Sequence, residues 1–315
     1  MTEMKLDKVP ELSLAAYSSG DDAVREKFQK ELYLGFKHFG FIVLNDHGID
    51  MDMLQRAYDL SAEFFALPEE EKNQYIVGTD FQRGYTPFGR EHAKGNRYPD
   101  LKEFWHVGQE FDSQSPLAKI YPMNIWPEKP EGFRETFLAL YQALENAGQV
   151  MLEALAPSIG VDTDYFKRLA TNGNSIMRLL HYPPIPEGTD PHCVRAAAHE
   201  DINLITLLVA ASASGLELLD RDGKWLPVEA SPNALIVDAG DMLARITNNH
   251  IPATTHRVVN PDGPNEPRYS MPFFMHPHSE AMLACIDRYR DGNEMPDITA
   301  DGFLQERLAE IGLKD

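Results

Sequence analysis

The hydrophobic positions of this chain follow two different periods, one in each half. In the first half, apolar residues recur at helical spacing, as at Val24, Phe28, Leu32 and Phe36, and this spacing predicts amphipathic helices. The longest segment of this kind predicts a helix from about Phe133 to Ala156. The first half is therefore predicted to be mostly helical, with a short apolar strand at residues 41–44.

Short apolar runs replace the helical spacing after Gly173. Turn-forming residues separate them, and the runs lie at residues 177–182, 205–209, 216–219, 224–228, 234–238, 242–243, 257–259 and 269–276. Strands of this length and spacing are typical of a β-barrel or a double-sheet jelly roll. Residues 72–130 show no clear period, so we predict an irregular segment there that lines a pocket. A closing helix is predicted from Thr299 to Leu313.

Two residues that bind metals stand close together at His199 and Asp201, and a further histidine follows at His256. Alternate residues of a strand point to the same side of a sheet. His199 and Asp201 are therefore predicted to face one metal, with His256 joining them from another strand. Two imidazoles and one carboxylate, with the opposite positions left open, form the ligand set of non-haem Fe(II) oxygenases.

A second pair with the same spacing is Arg268 and Ser270. On a strand, the two side chains would present a cation and a hydroxyl group on one face. The planar guanidinium fork can donate two parallel hydrogen bonds to a carboxylate. The pair is therefore predicted to bind a carboxylate beyond the metal.

Composition narrows the classes of partner. The 315 residues are 43% hydrophobic and carry a formal net charge of −20, which predicts a sizeable core but no binding to nucleic acid or to an anionic membrane. Two cysteines are too few for a disulfide framework or a cysteine zinc site. No run approaches the ~18 apolar residues of a membrane span, and no signal peptide is visible, so we expect a cytoplasmic protein.

The order of several further motifs resembles one known family. These motifs are Phe39-Gly-Phe-Ile-Val-Leu-Asn-Asp-His-Gly-Ile49, Leu67-Pro-Glu-Glu-Glu-Lys72, Gly215-Leu-Glu-Leu218, Asp222-Gly-Lys-Trp-Leu-Pro-Val228, Ala234-Leu-Ile-Val-Asp-Ala-Gly-Asp-Met-Leu243 and His256-Arg-Val258. With Arg268-Tyr-Ser-Met-Pro-Phe-Phe274, they resemble the isopenicillin N synthase-like branch of the Fe(II)/2-oxoglutarate-dependent dioxygenases. The resemblance implies a mainly β fold with flanking helices, built on a distorted double-stranded β-helix (jelly roll) core.

The resemblance also implies roles for individual residues. His199, Asp201 and His256 would bind the iron, and Arg268 and Ser270 would hold the far carboxylate of 2-oxoglutarate. Tyr182 would also contact this cosubstrate. The family usually has asparagine where this chain has Leu180 and Asp238, which affects the finer contacts to the cosubstrate. By rough correspondence with the family, the substrate pocket would include Arg83, Tyr85, Phe104, Trp105 and Phe274.

The function implied is an oxidoreductase that couples decarboxylation of 2-oxoglutarate to succinate with hydroxylation or related C–H oxidation of a small organic molecule. Fe(II), 2-oxoglutarate and O2 would be required, with ascorbate as a stimulant. Three alternatives stay open: an oxidase that needs no 2-oxoglutarate, a non-catalytic metal-binding sensor, and a hydrolytic zinc enzyme. Residues 1–170, 171–280 and 281–315 are expected to form a helical and mixed region, the jelly-roll core and a helical extension of one compact unit.

Overall fold

A computed structural model describes residues 8–77, 82–93, 96–209 and 214–310 of the protein. Most of the long helices lie in the first half. The helices are α1 (Leu14–Ser19), α2 (Asp22–Phe39), α3 (Met51–Phe65), α4 (Glu69–Asn73), α5 (Phe133–Ile159), α6 (Tyr165–Ala170), α7 (Asp241–Ile246) and α8 (Ala300–Glu310). No helix in the described ranges combines the length and the apolar character that crossing a bilayer requires.

The strands are short and lie mostly in the second half. They are β1 (Glu11–Ser13), β2 (Phe41–Asn45), β3 (Gly84–Thr86), β4 (Glu103–Gly108), β5 (Ile176–Tyr182), β6 (Ala196–His199), β7 (Ile205–Val209), β8 (Leu216–Leu219), β9 (Trp225–Pro227), β10 (Leu235–Ala239), β11 (His256–Val258), β12 (Arg268–Met275), β13 (Met282–Leu283) and β14 (Ile298–Thr299).

Two sheets form the jelly-roll core. The larger sheet has eight strands in the order β1-β2-β10-β7-β12-β5-β4-β3, and the smaller has the order β6-β11-β8-β9. The N-terminal half supplies two strands at each edge of the larger sheet, β1 and β2 at one edge and β3 and β4 at the other. This arrangement agrees with the predicted jelly roll and joins both halves of the chain in one sheet.

Capping residues define both ends of helix α2. Helix α2 begins after Asp21, whose carboxylate accepts a hydrogen bond from the N–H of Val24. It ends at Gly40, where φ is 68° and the N–H donates to the carbonyl of Phe36, a conformation that glycine adopts without steric cost. The predicted long helix begins at Phe133 as expected and runs one turn farther, to Ile159.

Helix α5 covers the outer face of the larger sheet. The Tyr141 ring packs edge-on against Phe273 at 5.0 Å between centroids. A Cβ at Gly148 would lie 2.7 Å from the Met275 sulfur, so the absence of a side chain lets this helix approach the sheet closely. The main core therefore lies between the helices and the sheet, while a second, smaller core fills the space inside the jelly roll.

Three details differ from the sequence predictions. The run at Met242–Leu243, predicted as a strand, lies in helix α7, because an isolated apolar pair carries no period that separates strand from helix. The segment 72–130, predicted to be irregular, contains β3 and β4. The C-terminal region includes the β13–β14 pair before helix α8. The predicted end of that helix at Leu313 lies outside the described residues.

Strand β4 directs its alternate side chains to opposite cores. Trp105 packs among the helices, with its ring centroid 5.0 Å from Phe64 and 5.5 Å from Phe133. Its neighbour Phe104 belongs to the core inside the jelly roll. Consecutive strand residues must face opposite sides of the sheet, so Trp105 cannot share a pocket with Phe104.

We expect Trp105→Ala to lower the free energy of unfolding by about 3–5 kcal/mol, because it empties a fully buried aromatic site. Urea unfolding followed by circular dichroism measures this change. Phe88→Ala is the matched control, because that ring is 40% exposed and its loss should cost less than about 0.5 kcal/mol. Equal losses in the two variants would contradict the placement of Trp105 in the core.

Candidate active site

The three predicted metal-binding residues converge at one end of the smaller sheet. Strands β6 and β11 pair with His256 opposite His199, and Asp201 follows two residues after β6 ends. The Asp201 Oδ1 atom lies 3.8 Å from the Nε2 atoms of both histidines. One ligand atom from each residue lies within 4.8 Å of the others, so a single ion can contact all three.

The route by which Asp201 reaches this position differs from the strand argument. Strand β6 stops at His199, and Asp201 lies in the loop that follows. The Asp201 carbonyl accepts a hydrogen bond of 2.7 Å from the N–H of Asp241, at the start of α7. Helix α7 therefore helps to fix the aspartate. His256 stands beside His199 on the adjacent strand rather than across the barrel from it.

Backbone hydrogen bonds orient both histidines. The Nδ1 atom of His199 lies 2.8 Å from the carbonyl of Ala197, and that of His256 lies 3.0 Å from the carbonyl of Thr254. Because a carbonyl only accepts, each Nδ1 carries the proton and each Nε2 keeps its lone pair for a metal. Burial, and then the neighbouring His256, lower the pKa of His199 to about 4, so His199 is neutral at pH 7.

The carboxylate of Asp201 is held by its own partners. The Thr206 hydroxyl donates to Asp201 Oδ2, and the Asn203 amide donates to the Thr206 oxygen at 3.0 Å. Burial alone would raise the pKa of Asp201, but the electrostatic interactions with His256 and His199 and the hydrogen bond from Thr206 outweigh it and lower that pKa. Asp238 lies beside it, and burial followed by the Asp201 charge raises the pKa of Asp238 well above its usual value.

These donors fit Fe(II). They offer two imidazole nitrogens and one carboxylate, which is the set that leaves several coordination positions open in non-haem iron oxygenases. Among the described residues, no fourth histidine, cysteine or carboxylate joins the group. Three protein donors with no fourth match a catalytic metal site rather than a closed structural one.

A small inner cavity of about 60 Å³ extends from the metal-binding residues into the jelly roll. Arg268, Ser270 and Tyr182 line it together with His199, Asp201 and His256. Arg268 is 1% exposed, and its Nη1 donates to the Ser270 hydroxyl at 3.3 Å. Arg268 and Ser270 thus face the same cavity, as their spacing predicts.

Tyr182 completes this end of the cavity through strand pairing. Strands β12 and β5 place it directly opposite Arg268, and the Arg268 guanidinium carbon lies 5.0 Å from its ring centroid. Leu180 and Asp238, where the resembling family usually has asparagine, also line the cavity. This inner cavity can therefore accept a carboxylate at the arginine, with an apolar wall at Leu180.

A larger outer cavity of about 410 Å³ opens on the other side of the metal-binding residues. Five residues line both cavities, namely His199, Asp201, Lys102, Arg178 and Phe274, so the two cavities meet at the metal-binding residues. A molecule in the outer cavity could therefore approach His199 and Asp201 without displacing one bound at Arg268.

Of the five predicted pocket residues, only Phe274 lines either of these two cavities. Tyr85 and Trp105 are paired across β3 and β4 and face the helical core. Arg83 is buried beside Gly108, where a Cβ would lie 2.0 Å from its Nη2. Phe104 faces the jelly-roll interior but lies beneath Arg178. The structure thus places these four residues away from the lining of both cavities, because the register of β3 and β4 fixes which face of the sheet each side chain occupies.

Several charged residues of the outer cavity were missed. The Lys102 ammonium contacts Glu91 at 2.7 Å and Asp100 at 2.8 Å, and Arg178 contacts Glu91 at 3.2 Å. His106 also lines the cavity. One signal was present in the sequence: Arg178 interrupts an otherwise apolar strand run at residues 176–182, and a buried charge in a strand needs a partner or a function.

Two family models match the chain. Residues 9–129 match the N-terminal model described as non-haem dioxygenase in morphine synthesis, and residues 173–277 match the 2OG-Fe(II) oxygenase superfamily. The second match contains every residue of the metal-binding group as well as Arg268 and Ser270.

Similar proteins extend the likeness over almost the whole length. A 2-oxoglutarate-Fe(II) type oxidoreductase of Emericella nidulans is 30% identical over 297 residues, which cover 91% of this chain and 84% of that protein. A 2OG-Fe(II) oxygenase family protein from Caulobacter crescentus is 41% identical with a TM-score of 0.86, and the match covers 96% of this chain and 99% of that one. A full-length Neurospora crassa protein, solved in complex with alpha-KG and thymine, is 29% identical with a TM-score of 0.85 and 96% coverage of each chain. The chain thus belongs to the 2OG-Fe(II) oxygenase superfamily and is a 2-oxoglutarate-dependent dioxygenase that uses Fe(II).

Proposed function

We propose that His199, Asp201 and His256 hold the Fe(II) and that Arg268, Ser270 and Tyr182 hold the far carboxylate of 2-oxoglutarate. The observation that carries this assignment is the shared inner cavity, which has the three metal donors at one end and a buried arginine at the other. The two carboxylates of 2-oxoglutarate can then be bound at separate places, one beside the metal donors and the other at Arg268. Arg268 is suited to the distal one because its fork donates charge-assisted hydrogen bonds away from water.

The chemistry follows from this division. When bound, Fe(II) with 2-oxoglutarate and O2 supplies the oxidising power, and 2-oxoglutarate is converted to succinate and CO2. The protein keeps both histidines in the ligating tautomer through the carbonyls of Ala197 and Thr254. Thr206 restricts the carboxylate of Asp201 through Oδ2, so Oδ1 would be the oxygen offered to the metal.

The molecule that is oxidised is a small organic compound in the outer cavity, and hydroxylation is the expected reaction. A volume of about 410 Å³ lies within the usual range of small-molecule sites. The Neurospora crassa relative in complex with thymine supports a substrate of this size. A cytoplasmic location, and the lack of affinity for nucleic acid or membranes, stay predictions from composition.

The test is substrate-stimulated formation of succinate from 2-oxoglutarate. Purified protein loaded anaerobically with Fe(II) should develop a weak visible absorption band on addition of 2-oxoglutarate, because the keto acid chelates the metal directly. Exposure to O2 should then yield succinate and CO2 in equal amounts, and a screen of small metabolites should raise the rate. Iron binding without the band and without succinate would overturn the 2-oxoglutarate assignment. An oxidase that holds its substrate's own carboxylate at Arg268 would then be favoured.

A further inference from the structure

Arg178 occupies the point where the two cavities meet. Alternate side chains of β5 line the jelly-roll interior, and those between them face the helical core. The interior row consists of Tyr182, Leu180, Arg178 and Ile176. Arg178 is the residue of this row that lines both cavities. Its side chain is 18% exposed and lines the cavity space together with His199 and Asp201.

Aromatic rings and hydrogen bonds hold this guanidinium group in one orientation. Its carbon lies 4.2 Å from the ring centroid of Phe104 and 5.4 Å from that of Phe274. Its Nε donates to His106 Nε2 at 2.6 Å, and its Nη1 donates to Glu91 at 3.2 Å. Within the described residues, Nη2 has no protein acceptor at hydrogen-bonding distance. A fixed donor edge therefore remains for a molecule in the cavity.

The charges around Arg178 already balance. Two cations, Arg178 and Lys102, face two anions, Glu91 and Asp100. Burial would raise the pKa of Glu91, but the charges of Arg178 and Lys102 outweigh it and hold that pKa well below its usual value. Burial would lower the pKa of Lys102, but Glu91 and Asp100 raise it. Glu91 and Lys102 are thus held in their charged forms. Each cation of the group already contacts a carboxylate, so an anionic ligand would find no uncompensated cation among them.

The rest of the outer cavity also disfavours an anion. Glu200, Asp241 and Glu310 line it, and Arg307 contacts two of these three carboxylates, Asp241 at 3.2 Å and Glu310 at 2.7 Å. Flat or apolar groups supply much of the remaining wall, notably Phe274 and the residues Ile176, Ile202, His276, Leu304 and Leu308. Such a wall accommodates a ring, and aromatic faces favour stacked or edge-on contacts with it.

We infer that the substrate is an uncharged, planar ring compound whose carbonyl oxygen or ring nitrogen accepts a hydrogen bond from the Nη2 edge of Arg178. This inference rests on the proposed function, because the outer cavity receives a substrate only if the inner one holds 2-oxoglutarate. Arg178 then determines specificity by holding the acceptor while the ring lies against Phe274.

The experiment compares matched neutral and anionic probes. Benzamide and thymine are the neutral probes, and benzoate and uracil-5-carboxylate are their anionic counterparts. Binding to protein loaded with Fe(II) and 2-oxoglutarate is measured by anaerobic calorimetry. We expect each neutral probe to bind at least about tenfold more tightly than its anionic counterpart, a difference of the size of one hydrogen bond to a charged group.

Two changes at Arg178 test the donor. Arg178→Met should weaken binding of the neutral probes by about tenfold or more. Arg178→Lys should restore only part of this affinity, because lysine lacks the planar donor edge. Saturable 2-oxoglutarate binding in each variant reports an intact fold and inner cavity. Arg168→Met is the control, because Arg168 is an exposed residue paired with Asp162 and should leave probe binding unchanged.

Glu91→Gln tests the charge balance from the other side. Removal of this anion leaves a net positive charge beside the cavity. The affinity for benzoate should therefore rise about tenfold relative to the affinity for benzamide. The inference is overturned if anionic probes bind the unmodified protein more tightly than neutral ones. It is also overturned if both Arg178 variants bind the neutral probes normally, or if 2-oxoglutarate binds and none of the probes does. Failure of 2-oxoglutarate itself to bind would overturn the proposed function, and the inference with it.

Discussion

Replacing His256 by alanine should abolish succinate formation and remove tight binding of Fe(II). The change deletes one of three protein donors from a site that has no fourth one among the described residues. The loss in iron affinity should exceed the roughly 10–100-fold typical of changes outside the ligand set. Anaerobic titration with Fe(II), together with the iron content of the purified protein, measures it. His199→Ala should behave in the same way.

The control for this prediction is His192→Ala. His192 is exposed and contacts Asp190 at 2.9 Å, outside both cavities. Its replacement removes an imidazole from the surface without altering the metal donors, so iron content and turnover should match those of the unmodified protein. Iron binding and turnover retained in both the His199 and His256 variants would contradict the metal assignment.

Arg268→Lys should weaken binding of 2-oxoglutarate by about 10–150-fold, which corresponds to about 1.5–3 kcal/mol for a hydrogen bond to a charged group. Lysine keeps the positive charge but lacks the fork that donates to Ser270 and to a carboxylate together. The dissociation constant for 2-oxoglutarate, from anaerobic titration of the visible band, reports the change.

Arg257→Lys is the matched control on strand β11, which lies in the smaller sheet. Arg257 pairs with Glu217 at 2.7 Å and lies over the Trp225 ring at 3.9 Å, away from both cavities. Its replacement should leave 2-oxoglutarate binding within about twofold, as is usual for surface substitutions. If Arg268→Lys leaves this binding unchanged but impairs substrate oxidation, Arg268 binds the substrate's own carboxylate.

The candidate metal-binding group could be predicted from the sequence because its chemistry needs particular residue types in a particular order. His199, Asp201 and His256 are few, polar and close to strand-like runs, and Arg268 and Ser270 follow with strand spacing. The structure brings the three donors together, although Asp201 lies in the loop after β6 rather than on the strand with His199. Residue type was therefore more informative than exact strand boundaries.

The outer cavity could not be predicted in the same way. It depends on β4, a strand inside a segment without a clear period, and on contacts between residues far apart in the chain, such as Glu91 with Arg178. Rough correspondence with the family suggested Tyr85 and Trp105, which the pairing of β3 with β4 turns toward the helices. Only the register of β4 against β5 shows that His106 stands beside Arg178.

The insertion of β4 next to β5 lets the first half of the chain supply part of the outer-cavity wall, beside Arg178 and Phe274 from the second half. The candidate metal donors and Arg268 all lie in the second half of the chain, whereas Glu91, Lys102 and His106 come from the first half. Mutations in the first half can therefore alter which compounds are accepted while the oxidising machinery stays intact. Chimeras that exchange residues 82–108 between relatives offer a direct route to new substrate ranges, provided that the pairing of β4 with β5 is preserved.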